Sequence, residues 1–170
     1  MHGDSLLMLT TKVVSNKKPP LLSDSESGGS TSPYNPKNLL VLFGYQQIHG
    51  FSEDDMVTIA PNGDGSQIYV GADGEVGRSI DPNQTFEVTI TLATSSTSNE
   101  YLSGMYNTDR VTGMGLVPLE IKDLSGQTLF KAEQAWVANM PEASYGRTID
   151  SREWTLYTGQ VTAPIIGGNN

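Results

Sequence analysis

Apolar and polar residues alternate over seven positions in Phe86-Glu87-Val88-Thr89-Ile90-Thr91-Leu92, the clearest periodic signal in the chain. A period of two is that of a β-strand, so the pattern predicts one buried face and one face meeting polar surroundings, the latter carrying Glu87, Thr89 and Thr91. Shorter apolar runs separated by turn residues repeat the theme. Leu39–Phe43 and Gln46–Phe51 flank Gly44-Tyr45, which predicts a hairpin. Met56–Ala60 precedes the turn sequence Pro61-Asn62-Gly63-Asp64-Gly65, which leads into a strand at Ile68–Val70. Gly71-Ala72-Asp73-Gly74-Glu75 supplies a further turn. Val117–Lys122 and Thr128–Val137 surround the turn Asp123-Leu124-Ser125-Gly126. Pro118 has no N–H to give to a ladder, so the first of these strands is expected at a sheet edge, or Pro118 at a strand start. Arg152–Val161 is the last predicted strand, with Trp154, Leu156 and Thr158 on one face.

One stretch departs from this period. Between Ser96 and Asn107, Ser96 or Ser98 can cap a helix, Glu100 lies near its positive end, and Tyr101, Leu102 and Met105 share a face. Gly104 weakens helical backbone, so a short helix is expected, followed by a glycine-containing loop over 108–116. Many short strands with one short helix predict a mainly β fold, a β-sandwich or partial barrel.

Residues 15–36, SNKKPPLLSDSESGGSTSPYNP, hold little to bury and cannot offset their own ordering entropy. Residues 5–14, SLLMLTTKVV, could add a strand where a partner supplies an edge. The organisation expected is a flexible N-terminal arm over 1–36, a β-rich domain over 37–164 and a short tail over 165–170.

Composition narrows the function. A chain of 170 residues fits one domain, and with 36% hydrophobic residues its polar surplus must sit in loops, tails or a solvated inner surface. Cysteine is absent, which excludes disulfides and thiolate metal sites. No apolar run approaches bilayer-spanning length, and Lys12, Lys17 and Lys18 follow Leu6–Leu9 rather than precede it, unlike a signal peptide. A soluble protein made in the cytoplasm, with no membrane partner, is expected. Net charge is −9, and residues 38–170 carry 16 acids against six basic residues. So acidic a body repels nucleic acid, which serves solubility and would also let DNA slide past without sticking.

Chemistry is sparse. The two histidines, His2 and His49, have no Cys and no Gly-x-Ser-x-Gly elbow to join in a nucleophilic site, and His49 falls in a predicted hairpin strand. Asn62-Gly63-Asp64-Gly65 and Asp73-Gly74-Glu75 resemble calcium loops only superficially, because EF-hand spacing and flanking helices are missing. Glu53, Asp54 and Asp55 are consecutive and so diverge along an exposed turn. No phosphate loop or dinucleotide fingerprint occurs, and Lys17-Lys18 is too short for a nucleic-acid patch. No catalytic, cofactor-binding or metal-ligating residue is therefore expected, and no enzyme activity. Trp136 and Trp154 are expected in the core or at a subunit contact.

The order of motifs carries more than any one of them. Tyr34-Asn35-Pro36-Lys37, Gly50-Phe51-Ser52, Met56-Val57-Thr58-Ile59, Val70-Gly71-Ala72-Asp73-Gly74-Glu75-Val76-Gly77-Arg78-Ser79, Phe86–Leu92 and Ser96-Thr97-Ser98-Asn99 resemble, in that order, the tail-tube proteins of contractile-tailed phages. Val117 to Gly126, Glu133-Gln134-Ala135-Trp136-Val137 and Ser151-Arg152-Glu153-Trp154 extend the resemblance over residues 34–162. The arm before Tyr34 is not part of the family's core pattern.

The resemblance implies a hexameric ring whose subunits pool strands into a shared inner β-barrel, with rings stacked into a tube for double-stranded DNA. It also implies the virion tail as location, with the chain itself, tail sheath, baseplate hub and tape-measure protein as partners. Within that frame Val70, Gly71, Asp73, Gly74, Glu75 and Arg78 form a candidate ring-contact loop, against the alternative of a plain β-turn. Glu87, Thr89 and Thr91 become candidate lumen-facing positions. Two rival readings share the composition: a tube subunit of a phage-derived injection device, and a non-stacking β-sandwich module of a baseplate or fibre.

Overall fold

The computed structural model describes residues 38–53, 56–147 and 150–168. The expected arm over 1–36 lies outside the described residues, as do Asp54 and Asp55 of the acidic run. The strands are β1 (Leu39–Phe43), β2 (Gln46–Gln47), β3 (Val57–Pro61), β4 (Ser66–Val70), β5 (Val76–Ile80), β6 (Phe86–Ala93), β7 (Val117–Asp123), β8 (Leu129–Asn139) and β9 (Ser151–Thr158), and α1 (Ser98–Thr112) joins β6 to β7. Seven strands form one sheet in the order β2-β1-β7-β8-β9-β6-β3, every neighbour antiparallel, while β4 and β5 pair only with each other.

The sheet rolls on itself. After β2 the chain crosses from β1 to β6: Ile48 N–H donates to the Val41 carbonyl at 2.9 Å, and the Gly50 carbonyl accepts from Ala93 N–H at 2.8 Å. Phe51 bridges Leu92, and Ser52 N–H donates to the Thr91 carbonyl at 3.0 Å. One short segment thus stitches both margins of the sheet into the predicted partial barrel. Its interior holds Val41, Phe43, Val88, Ile90, Leu92, Leu119, Ile121, Phe130, Trp154 and Leu156, all buried, and Phe86 meets Phe130 edge-to-face at 5.2 Å. Burying each such side chain contributes roughly 1.5–3 kcal/mol, which offsets the entropy of ordering these short strands.

The structure decides three local expectations. First, the helix runs 15 residues, through Gly104 and into the expected loop, ending at Gly113, which takes φ +66° and donates to the Asp109 carbonyl. Fully buried Leu102, with Tyr101, Met105 and Tyr106 packed on the core, outweighs the roughly 1 kcal/mol that glycine costs a helix. Second, of the two places open to Pro118 the structure takes the strand start, since β7 begins at Val117 and is central rather than at an edge. Pro118 is tolerated as its second residue because it lies beyond the β1 ladder and at a register shift in the β8 ladder, where Glu133 and Gln134 are both exposed. Third, β2 stops at Gln47, so His49 belongs to the crossing segment and not to a strand. At residue 165, where the expected tail begins, Ile165 exchanges backbone hydrogen bonds with Leu129 at 2.8 and 2.9 Å.

Candidate functional site

Between the end of β3 and the start of β6, residues 62–85 leave the barrel and return as the β4–β5 hairpin. Its base is fastened by backbone bonds from Asn62 to Thr85 (3.0 Å) and Asp81 to Gly65 (2.7 Å). The Asp81 carboxylate also accepts from Asn83 N–H at 2.9 Å and Asp64 N–H at 2.8 Å, and these backbone donors, Asn83 first, hold it below the usual carboxylate range. At the tip, Gly71 N–H donates to the Glu75 carbonyl and Gly74 N–H to the Gly71 carbonyl. The segment around Gly71 is therefore both a turn and the tip of a hairpin, and Val76–Ile80, to which the sequence pattern assigned no strand, is a strand.

Register decides what this hairpin presents. Ile68 stands opposite Arg78, Val70 opposite Val76, and Ser66 opposite Ile80. Directly opposed residues share a face of the ladder, so Ile68, Val70, Val76 and Ile80 form one apolar face with Arg78 within it. Ile68 is 77% exposed and Val76 72%. The six candidate contact residues fall on this hairpin, with Asp73, Gly74 and Glu75 at the tip and Val70 and Arg78 on its strands. The Asp73 carboxylate accepts from Glu75 N–H at 3.2 Å.

A second surface is the outward face of β3, β6 and β9. Along β6, Phe86, Val88, Ile90 and Leu92 are buried while Glu87, Thr89 and Thr91 are half-exposed. Pairing sets Glu87 between Ala60 and Tyr157, Thr89 between Thr58 and Thr155, and Thr91 opposite Glu153. Thr58, Glu153, Thr155 and Tyr157 thus complete a wall of threonines and carboxylates with no lysine or arginine at these positions. The sequence alone did not single them out. Alternation with buried Trp154 and Leu156 marks three of them, but only the register brings them beside β6.

The tryptophans separate. Trp154 is 1% exposed and its Nε1–H donates to Asn99 Oδ1, whereas Trp136 is half-buried and meets Tyr157 edge-to-face at 6.4 Å on the polar wall. His49 contributes backbone only: its N–H donates to Ser98 Oγ at 2.9 Å and its carbonyl accepts from Ser96 Oγ. Arg152 sits over the Tyr145 ring at 5.7 Å. Among the described residues no cluster of three His, Cys, Asp or Glu side chains is placed to hold a metal ion, and no helix is long and apolar enough to cross a membrane.

Residues 31–166 match a family model described as the bacteriophage PhiTE tail tube protein. A structural protein, ORF10, of Pseudomonas phage KPP10 is 30% identical over 149 residues, spanning 83% of this chain and 86% of that protein. Among solved structures, a chain of the sheath/tube terminator of an extracellular contractile injection system (PVC), in its extended state, superposes with a TM-score of 0.56 at 15% identity, over 76% of this chain and 95% of the other. A chain of the sheath-tube complex of the same kind of system gives 0.55 at 15% identity, over 80% and 95%. At such identity these structures establish likeness of fold.

Proposed function

The chain belongs to the bacteriophage PhiTE tail tube protein family, a structural component of the virion tail, and we propose that it is the repeating protomer of that tube, closing into hexameric rings that stack around a channel for double-stranded DNA. The observation that carries this reading is the β4–β5 hairpin. Two strands alone are marginal in water, and a face of Ile68, Val70, Val76 and Ile80 that its own protomer leaves exposed calls for a partner. A neighbouring copy supplies one without any other component. The polar wall supports the channel: Glu87 and Glu153 among threonines repel phosphate, and the absence of basic side chains there removes the contacts that would hold DNA. The activity is assembly, not catalysis. The sheath, baseplate hub and tape-measure protein would then contact the tube from outside, below and within. Residues 1–36 act as an arm onto a neighbouring subunit or ring, so deleting them weakens stacking more than it unfolds the domain.

Negative-stain electron microscopy of the purified protein over a range of concentrations, with size-exclusion chromatography, tests the reading. Rings or hollow tubes are expected. A strictly monomeric protein, even with baseplate components added, would replace it with the non-stacking baseplate or fibre module. Within the assembly reading, Ile68→Asp with Val76→Asp should abolish stacked tubes while leaving the thermal midpoint of the monomer within about 2 °C, since surface changes usually alter stability by less than about 0.5 kcal/mol.

A further inference from the structure

Antiparallel pairing throughout the sheet sorts the connections into two ends. β1, β6 and β8 run one way and β3, β7 and β9 the other. The hairpin, which leaves β3 and enters β6, therefore lies at one end, with the β7–β8 turn. At the opposite end lie the β1–β2 turn and the junction of α1 with β7.

That opposite end also exposes apolar side chains. Tyr45 is fully exposed, Val111 85%, Met114 78% and Leu116 50%. They are not on loose chain. Gly44 N–H donates to the Pro118 carbonyl at 2.7 Å, which sets the Tyr45 turn against the start of β7. The loop after α1 is tied by Gly113 N–H to the Asp109 carbonyl, Gly115 N–H to Asp109 Oδ1 (2.9 Å) and Met114 N–H to Thr112 Oγ1 (3.1 Å). Apolar side chains held outward by fixed backbone lose little freedom on contact, the property of a prepared docking surface. Arg110, over the Tyr106 ring at 5.7 Å, gives this end a cation, while the Asp109 carboxylate beside it is engaged by the loop. The hairpin tip offers the complement, Asp73 and Glu75 ahead of an apolar face.

We propose that the surface of Tyr45, Val111, Met114 and Leu116, with Arg110 at its margin, is the seat for the β4–β5 hairpin of a second copy in the adjoining ring. The inference rests on the stacking reading above and specifies where the hairpin lands. Unlike surfaces at opposite ends of one subunit make a head-to-tail contact, which repeats without closing and so elongates a tube.

The chain has no cysteine, so single-cysteine variants report the contact directly. Ala72→Cys at the tip is mixed before assembly with Met114→Cys, or with Leu124→Cys at the hairpin's own end, and treated with a short bismaleimide. Cross-linked dimer from the Ala72→Cys and Met114→Cys mixture, at least tenfold above the Leu124→Cys mixture, is expected. Tubes visible by microscopy with no such excess would overturn the seat and leave the tube reading intact. No rings or tubes from the unsubstituted protein would remove both. In addition, Arg110→Glu should give rings that fail to stack, and Asp73→Lys with Glu75→Lys should restore stacking. Unaltered tubes from Arg110→Glu would count against the charge pairing.

Discussion

Trp154 Nε1–H donates to Asn99 Oδ1 at 2.9 Å inside the protein, tying β9 to the first turn of α1. Asn99 Nδ2–H donates in turn to the Ala93 and Ser96 carbonyls at 2.9 and 3.0 Å, so one side chain fastens the helix start to the end of β6 as well. Asn99→Leu strands the buried indole N–H, an unmet group that costs about 1–3 kcal/mol, while the Ala93 and Ser96 carbonyls keep the backbone N–H groups of Ser96 and of residue 99. The midpoint of urea unfolding, followed by tryptophan fluorescence under monomeric conditions, should fall accordingly, and an unchanged midpoint would mean the network adds nothing net.

Two glycines should respond with opposite sign. Gly50 takes φ +73°, and a Cβ there would sit 2.7 Å from the Ser96 Cβ, so Gly50→Ala should destabilise by roughly 1–3 kcal/mol and loosen the stitched margin of the barrel. Gly104 lies mid-helix with open space around an added Cβ, so Gly104→Ala should stabilise by about 0.5–1 kcal/mol. Calorimetry of both variants checks the pair.

Acid should loosen the β7–β8 turn. Hydrogen bonds from the Ser125 hydroxyl and then its N–H, both to Asp123 Oδ1, hold the Asp123 carboxyl below the usual range. A depressed folded value means the stabilisation is present above the unfolded value of about 3.9 and is lost as pH falls through the folded one. The stability difference between wild type and Asp123→Asn should therefore shrink between neutral pH and about pH 2, as measured by denaturant titration at each pH. A difference that grows on acidification would contradict the assignment.

Charge on the polar wall should decide whether DNA passes. Thr89→Lys with Thr91→Lys places two cations per subunit beside Glu87 and Glu153 without touching the core. Tubes should still assemble, but phage carrying the variant should eject DNA several-fold more slowly, with the defect relieved by added salt. Wild-type ejection kinetics from assembled variant particles would remove these strands from the channel wall.

Much of the barrel can be read along the chain because its local signals agree. The alternation of Phe86 to Leu92 sorts its two faces correctly, and Trp154, Leu156 and Thr158 are buried together as their spacing predicts. Local propensity misleads where distant packing outweighs it. Gly104 predicts a short helix, but Leu102 lies in the core and draws the helix on to Thr112. Pro118 allows an edge strand or a strand start, and only the fold chooses the start of a central strand, where the β8 bulge opens the ladder at the missing N–H.

The candidate surfaces divide on the same physical ground. The sequence by itself determined which residues can make a polar strand face and where a glycine-rich turn projects, because strand periodicity and turn chemistry act over a few neighbouring residues. Only the tertiary structure decided that Thr155 and Glu153 stand beside Thr89 and Thr91, that Ile68 and Val76 share an exposed face, and that Tyr45 and Met114 lie at the end opposite the hairpin. Those relations depend on register and strand order, which are set by packing between segments tens of residues apart.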